Sequence, residues 1–282
     1  MQPMLFCAGR KRRYGMVKKV SCLGPEGSYT HIAACNMCCG ASLILCRTFF
    51  DAVNKVLSGE ADAAVLPIEN TINGGVLQNL DILAGRQELT AVAEYTLKID
   101  HRLITLAGAD KDKITRIYSH RQALDQCAGF LNANYPNAEL IAENSTAASI
   151  SCIKSAADAA IAGVQCAREG YDVSSECISD EKNNYTHFLL VVKGALPDNF
   201  RSKKVYFTLT CNHVPGALLK LLSVIYKYDV NMTKIESRPI KGRVGEYRFF
   251  IEIEADYAQE KIKRVLGELE AAASSFRVIG AY

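Results

Sequence analysis

Across residues 19–195, short apolar runs alternate with stretches whose apolar positions recur every three or four residues. This is the pattern of strands exchanging with amphipathic helices in an α/β layered fold. Residues 19–23 read as a strand ending in the turn Gly24-Pro25-Glu26-Gly27, after which Ser28 or Thr30 can cap a helix entering a cysteine-rich segment. Phe49, Phe50, Val53, Val56 and Leu57 keep helical spacing, and Gly59 stops that helix. Residues 63–68 are a buried strand, and Val76, Leu77, Leu80 and Leu83 mark the next helix.

A second set repeats the plan. Residues 114–118 predict a strand, then a helix carrying Ala123, Leu124, Cys127, Phe130 and Leu131 up to Pro136. Residues 139–142, 159–162 and 188–192 predict further strands, with Ser145 capping a helix. Long extended stretches, 91–106 and 178–192, read as crossings between two lobes, one of residues 19–95 plus 180–195 and one of residues 96–179. Two α/β lobes joined by paired crossings make a cleft, a common place for a small polar ligand. Residues 194–198 (Gly-Ala-Leu-Pro-Asp) break the pattern, and residues 203–282 then read strand, helix, strand, strand, helix, strand. That βαββαβ order is the ferredoxin-like plan and makes a complete small domain.

Charge changes the picture at one end only. The chain of 282 residues has 33 Lys and Arg against 30 Asp and Glu, yet Arg10, Lys11, Arg12, Arg13, Lys18 and Lys19 stand in its first 19 residues without an acid. Residues 1–18 are therefore expected to be a basic, disordered extension on a mildly acidic body, with Met16 readable as an alternative start. This is not the charge footprint of a nucleic-acid-binding fold, and no apolar run approaches the roughly 20 residues of a membrane helix. Eleven cysteines scattered through apolar segments, without a secretory signal, read as reduced thiols of a cytoplasmic protein. Cys35 and Cys38 have CxxC spacing, but no second pair or nearby histidines follow to make a zinc site. A GxGxxG fingerprint, a P-loop lysine, a GxSxG elbow and an HExxH helix are all missing.

Candidate chemistry gathers where strands should end. Glu69-Asn70-Thr71 follows a buried strand, Ser119-His120 follows another, and Asn144-Ser145-Thr146 a third. Asn183-Asn184-Tyr185-Thr186-His187-Phe188 enters the last strand of the first unit. Ser and Asn cap helices everywhere, so each cluster alone has an ordinary structural reading. Four such clusters at strand ends in two lobes favour a binding cleft for anions.

These motifs carry a resemblance over residues 19–282. Gly24-Pro25-Glu26-Gly27-Ser28, Leu66-Pro67-Ile68-Glu69-Asn70-Thr71 with Gly75-Val76, Tyr118-Ser119-His120 with Gln122-Ala123-Leu124, and Ser145-Thr146-Ala147-Ala148 resemble the prephenate dehydratase family in its form without a fused chorismate mutase. Asn212 with Pro215-Gly216-Ala217-Leu218, the run Lys234-Ile235-Glu236-Ser237-Arg238-Pro239, and the ending Val278-Ile279-Gly280-Ala281-Tyr282 are similar to that family's ACT regulatory domain. The resemblance implies a catalytic domain over residues 19–195 with two periplasmic-binding-protein-like lobes around a cleft, and an ACT domain over residues 203–282.

The resemblance also implies a cytoplasmic carbon–oxygen lyase of phenylalanine biosynthesis that needs no metal or cofactor. Thr186 would stand nearest the chemistry, with Glu69 or a water relaying a proton and Phe188 packing on the substrate ring. Asn70, Thr71, Ser119, His120, Gln122, Ser145, Thr146 and His187 would bind substrate. Phenylalanine would bind at Asn212, Gly216, Ala217, Leu218, Glu236, Ser237 and Arg238, between ACT domains of a homo-oligomer, a dimer or tetramer. Departures cluster in one place: Thr186-His187-Phe188 stands where the family has Thr-Arg-Phe, the segment before it is slightly short, and Arg121 replaces a proline. Histidine lacks the bidentate guanidinium fork, so a carboxylate held by the family's arginine would need another cation, for which Arg121 is the candidate. An arogenate dehydratase, or a catalytically impaired sensor of aromatic amino acids, are the alternative readings.

Overall fold

A computed structural model describes residues 17–243 and 245–282; the expected basic extension falls, over residues 1–16, outside the described residues. The described residues form a mixed α/β fold with two β-sheets and divide into two compact units, residues 17–74 with 95–188, and residues 75–94 with 189–282.

In the first unit, β1 (Lys19–Leu23) leads into α1 (Tyr29–Met37), β2 (Ser42–Cys46), α2 (Phe49–Leu57) and β3 (Ala63–Asn70). Central β1 pairs in parallel with both β2 and β3. The turn between β1 and α1 ends as predicted, with the Ser28 Oγ accepting the His31 N–H at 3.2 Å; Thr48 caps α2 in the same way through Asp51 N–H at 3.0 Å. Strand β3 is buried throughout except at Glu69, which explains its unbroken apolar reading up to Ile68. Strand β2 is an addition: Ser-Leu-Ile-Leu-Cys is too short and too exposed to alternate cleanly.

The chain continues through β4 (Gly74–Gly75), α3 (Leu77–Gly85) and β5 (Leu89–Lys98) into a second lobe of the first unit. There β6 (Arg102–Leu106), β7 (Arg116–His120), α4 (Arg121–Gln126), α5 (Ala128–Asn134), β8 (Glu139–Glu143), α6 (Thr146–Ser149), β9 (Asp158–Ala162) and β10 (Tyr171–Val173) build a five-stranded sheet in the order β10-β6-β9-β7-β8. The helix expected to run to Pro136 is two short helices meeting at Cys127. The buried Asp158 carboxylate ties this lobe together: it accepts the backbone N–H groups of Lys154 and Ser155 and pairs with Arg116 at 2.7 Å. Strand β11 (Tyr185–Lys193) returns the chain toward the second unit.

The second unit contains the βαββαβ order read from the sequence: β12 (Lys204–Thr210), α7 (Ala217–Lys227), β13 (Met232–Pro239), β14 (Tyr247–Glu254), α8 (Glu260–Ala272) and β15 (Ser275–Ala281). Its antiparallel strands lie in the order β13-β14-β12-β15, with α7 against α8 and α8 against β15. Residues 75–94 belong to this unit, whereas the sequence pattern assigns them to the preceding lobe. The cause is a set of side chains without periodic signature. Arg238 reaches Asp81 of α3 at 3.0 Å, and Arg277 donates to the carbonyls of Leu83 and Leu89. Strand β15 also runs parallel to β5 where Gly280 faces Ala91, a closeness only glycine permits, because a Cβ on Gly280 would overlap the Ala91 carbonyl.

Candidate active site

Four segments of the first unit converge on one polar cluster, and the last residue of β3 is its hub. The Asn70 side chain, 8% exposed, accepts the backbone N–H groups of Ile72 and Asn73, each at 3.1 Å. Those two bonds settle which end of the amide is oxygen. The Nδ2 group must therefore face Asn184 and the start of β11, where its two protons are shared among the Asn184 Oδ1 at 2.7 Å, the Tyr185 carbonyl at 3.1 Å and the Thr186 Oγ1 at 3.0 Å. Since the Thr186 oxygen accepts from Asn70, its own proton is left to point elsewhere. Thr71 completes the seam: its hydroxyl donates to the Asn183 carbonyl and accepts the Tyr185 N–H, at 3.0 and 2.9 Å.

Through Asn184, residues that the sequence did not mark, Gln126 and His101, extend the cluster. Asn184, fully buried, donates to the Gln126 Oε1 at 3.0 Å, and the Gln126 Nε2 donates to the Asn73 Oδ1 at 2.6 Å. The same Gln126 oxygen meets His101 Nε2 at 3.0 Å, and His101 Nδ1 lies 3.2 Å from the Tyr29 hydroxyl. Burial holds the His101 imidazole below the ordinary histidine range, despite the Gln126 bond and the nearby Asp100 charge. Gln126 sits on a helix, and His101 sits in an extended segment. Only their polarity inside otherwise apolar stretches could have marked them.

The other expected residues divide. Ser119 is fully buried, and its hydroxyl donates to the Ile161 carbonyl at 2.6 Å, which fixes β7 against β9. The His120 Nδ1 accepts the Gln122 N–H and caps α4, while the Gln122 side chain is exposed. Ser145 caps α6 through the Ala148 N–H at 3.0 Å, next to half-buried Thr146. Glu69 is half-buried one residue before Asn70. Phe188 shares the Thr186 face of β11 but is 1% exposed, so its ring backs the site from the core.

His187 does not join the cluster. Strand alternation puts it on the reverse face from Thr186, where its Nδ1 meets the Thr96 Oγ1 of β5 at 2.9 Å. Arg121 is exposed and already paired with Asp125, one turn along its own helix, at 3.1 Å. A cavity of about 410 Å³ opens elsewhere in this unit between Gly27 and His31 on one side and Ala147 and Cys166 on the other; neither Asn70 nor Thr186 lines it. Nine described cysteines carry free thiols, four of them buried, and burial pushes Cys22 and Cys127 up to about 12.

The second unit holds a cavity of about 530 Å³ whose lining includes Asn212, Gly216, Ala217 and Leu218, with Tyr247 and Phe249 of β14. Gly216 takes φ +78° at the start of α7, a conformation that suits glycine. The neighbouring expectation splits by strand alternation. Ser237 pairs with Phe249 on the cavity side of the sheet, whereas Glu236 lies against Gly75 and Arg238 against Asp81 on the reverse side.

Residues 20–195 match the family model described as prephenate dehydratase. Prephenate dehydratase of Lactococcus lactis is 35% identical over 272 residues, covering 94% of this chain and 97% of that protein. The bifunctional chorismate mutase/prephenate dehydratase of Neisseria gonorrhoeae is 36% identical over 93% of this chain and 74% of its own length. A crystal structure of prephenate dehydratase from Arthrobacter aurescens in complex with L-Phe superposes with a TM-score of 0.84 at 32% identity, covering 94% of this chain and 90% of that one. The chain belongs to the prephenate dehydratase family.

Proposed function

We propose that this protein converts prephenate to phenylpyruvate in the cytoplasm, with loss of carbon dioxide and water, at the Asn70–Thr186 cluster. The observation that carries this reading is the hydrogen bond from the Asn70 Nδ2 to the Thr186 Oγ1 at 3.0 Å. Prephenate bears a ring carboxylate opposite a ring hydroxyl, and losing both makes the ring aromatic, so the substrate supplies much of the driving force. The protein must orient the ring, keep the leaving carboxylate poorly hydrated and help the hydroxyl depart.

A hydroxyl whose oxygen already accepts an amide N–H becomes a better donor, and Thr186 aims that donor at the departing oxygen. Water or the Glu69 carboxylate resupplies the proton. Phe188 shapes the floor from below. Thr146 and the polar groups of His120 and Gln122 lie at the edge of the second lobe and are available to the substrate carboxylates, whereas Ser119 and Ser145 act by holding strand and helix ends in place. Neither His187 nor Arg121 is needed in this scheme, since one faces away and the other has an acidic partner.

The ACT-type reading of the second unit makes it a phenylalanine sensor. Asn212 and the backbone at Gly216 and Ala217 would take the amino-acid head group, and Leu218 and Phe249 would take the ring. The Asn212 oxygen already accepts the Ser274 hydroxyl at 2.8 Å, which turns its NH₂ outward. Val214 and Leu219, 58% and 68% exposed, leave the cavity open on a side that a second copy would cover in a homo-oligomer. The test is an assay of phenylpyruvate formed from prephenate, with and without phenylalanine. Turnover that phenylalanine suppresses is expected, and absence of turnover by folded protein refutes the reading.

A further inference from the structure

We propose that His101 is a positioning residue for this reaction: its Nε2–H, by fixing the side-chain amide of Gln126, sets the polarity of the hydrogen-bond chain that ends on the Thr186 hydroxyl. The inference rests on the activity proposed above and adds to it a residue that touches no substrate.

Two independent ends fix the chain. At one end the backbone N–H groups of Ile72 and Asn73 hold the Asn70 oxygen, so its NH₂ must face Asn184 and Thr186. Asn184 must then present its oxygen to Asn70 and its NH₂ to Gln126, which in turn must offer an oxygen. At the other end that same Gln126 oxygen faces His101 Nε2, so a proton must reside there. His101 Nδ1 is left bare of a proton; the Tyr29 hydroxyl lies 3.2 Å from it, ring edge-on at 5.7 Å, and shares its one proton with the Asp100 carbonyl at 3.0 Å. The imidazole is 3% exposed, and its backbone carbonyl accepts the Ile178 N–H, so the ring cannot swing out to water.

The opposite tautomer would turn Gln126 over and bring its NH₂ against that of Asn184. Asn184 would then have to turn and set its NH₂ against that of Asn70, which is held by Ile72 and Asn73, so the donor to Thr186 would be pushed out of place or lost with those backbone bonds. A buried chain of amides has no water with which to repair such a mismatch. His101 therefore acts at a distance of three side chains by excluding the wrong orientation of each.

The test compares the full-length chain with His101→Leu and His101→Gln in steady-state turnover of prephenate, with thermal unfolding as the check on folding. His101→Leu should lower kcat about ten-fold or more, with KM within about two-fold, as expected when a donor is misplaced and binding is intact. His101→Gln, which can still donate to Gln126, should recover most of that loss. Imidazole ¹⁵N shifts of the unaltered protein should show Nε2 protonated and Nδ1 bare. Unchanged kcat in folded His101→Leu, or an Nδ1–H tautomer, overturns the proposal. If His101→Leu does not fold, the ¹⁵N shifts of the unaltered protein decide: a protonated Nε2 supports the proposal and an Nδ1–H tautomer overturns it. A parent that folds but does not turn over prephenate refutes the activity itself, and the ¹⁵N spectrum still decides the orientation of the chain.

Discussion

Replacing Asn70 by aspartate changes one atom and reverses half of the polar cluster. The Oδ1 atom can still accept from Ile72 and Asn73, so the turn after β3 keeps its bonds. The other oxygen, however, would face the Asn184 Oδ1, the Tyr185 carbonyl and the Thr186 Oγ1, three groups that now accept from Asn70. Losing the two N–H donors that these three groups share, at about 1 kcal/mol each, amounts to about 2 kcal/mol, before any added repulsion from a buried carboxylate. Thr186 can relieve part of this by turning its proton back toward the carboxylate, which takes that proton away from the substrate. Asn70→Asp should therefore lower kcat by about 10² or more, in the range for removing one positioned donor, while KM changes less. Steady-state phenylpyruvate formation beside urea unfolding reads both effects. A folded Asn70→Asp protein with kcat within about three-fold of the parent would refute the claim that the Asn70 N–H governs Thr186.

Three further outcomes follow from the geometry. His187→Arg should leave turnover within about three-fold in the same assay, because position 187 faces Thr96 on the side of β11 away from Thr186; a gain of 10² would restore a direct substrate role to that position. Gly280→Ala should destabilise the second unit by about 1–3 kcal/mol, through overlap with the Ala91 carbonyl, and an unchanged Tm would count against that contact. Glu252 provides the pH dependence: burial alone would raise its carboxyl, but hydrogen bonds from Thr233 and Tyr282 and the Lys204 charge hold it below the ordinary value of 4.5. Its folded form is thus the more acidic, so this stabilisation is complete above the unfolded value and fades as pH falls through the folded one. Glu252→Gln should flatten the acid limb of a pH–Tm curve, and an unaltered limb would exclude Glu252 as its source.

The ends of strands were legible in the sequence because polar residues there interrupt long apolar runs: Asn70 after β3, Ser119 in β7 and Ser145 before α6 all occupy their expected positions. The division of faces is written in the same motifs, through the period of two of a strand. Thr186-His187-Phe188 and Glu236-Ser237-Arg238 each lie on a strand, so neighbours in either triplet cannot share a site wall. Gln126, Asn184 and His101 were not legible as partners. The bonded pairs lie 25 and 58 positions apart, and a single buried polar residue has no periodicity to declare its mate. Likewise nothing along the chain pairs Asp81 with Arg238, 157 positions later, although that contact and those of Arg277 decide which unit residues 75–94 join.

That membership bears on modularity. The matched family segment ends at residue 195, yet a chain cut there would carry α3 and the first half of β5 without the strands they are built against. Leu80, Leu83, Leu89 and Ala91, each 0% exposed, would lose part of their cover, and Asp81 would lose its Arg238 partner. The two units of this protein are therefore not detachable cassettes: the C-terminal segment could be shed, or exchanged for another, only together with a rewritten stretch of sequence in the middle of the enzyme.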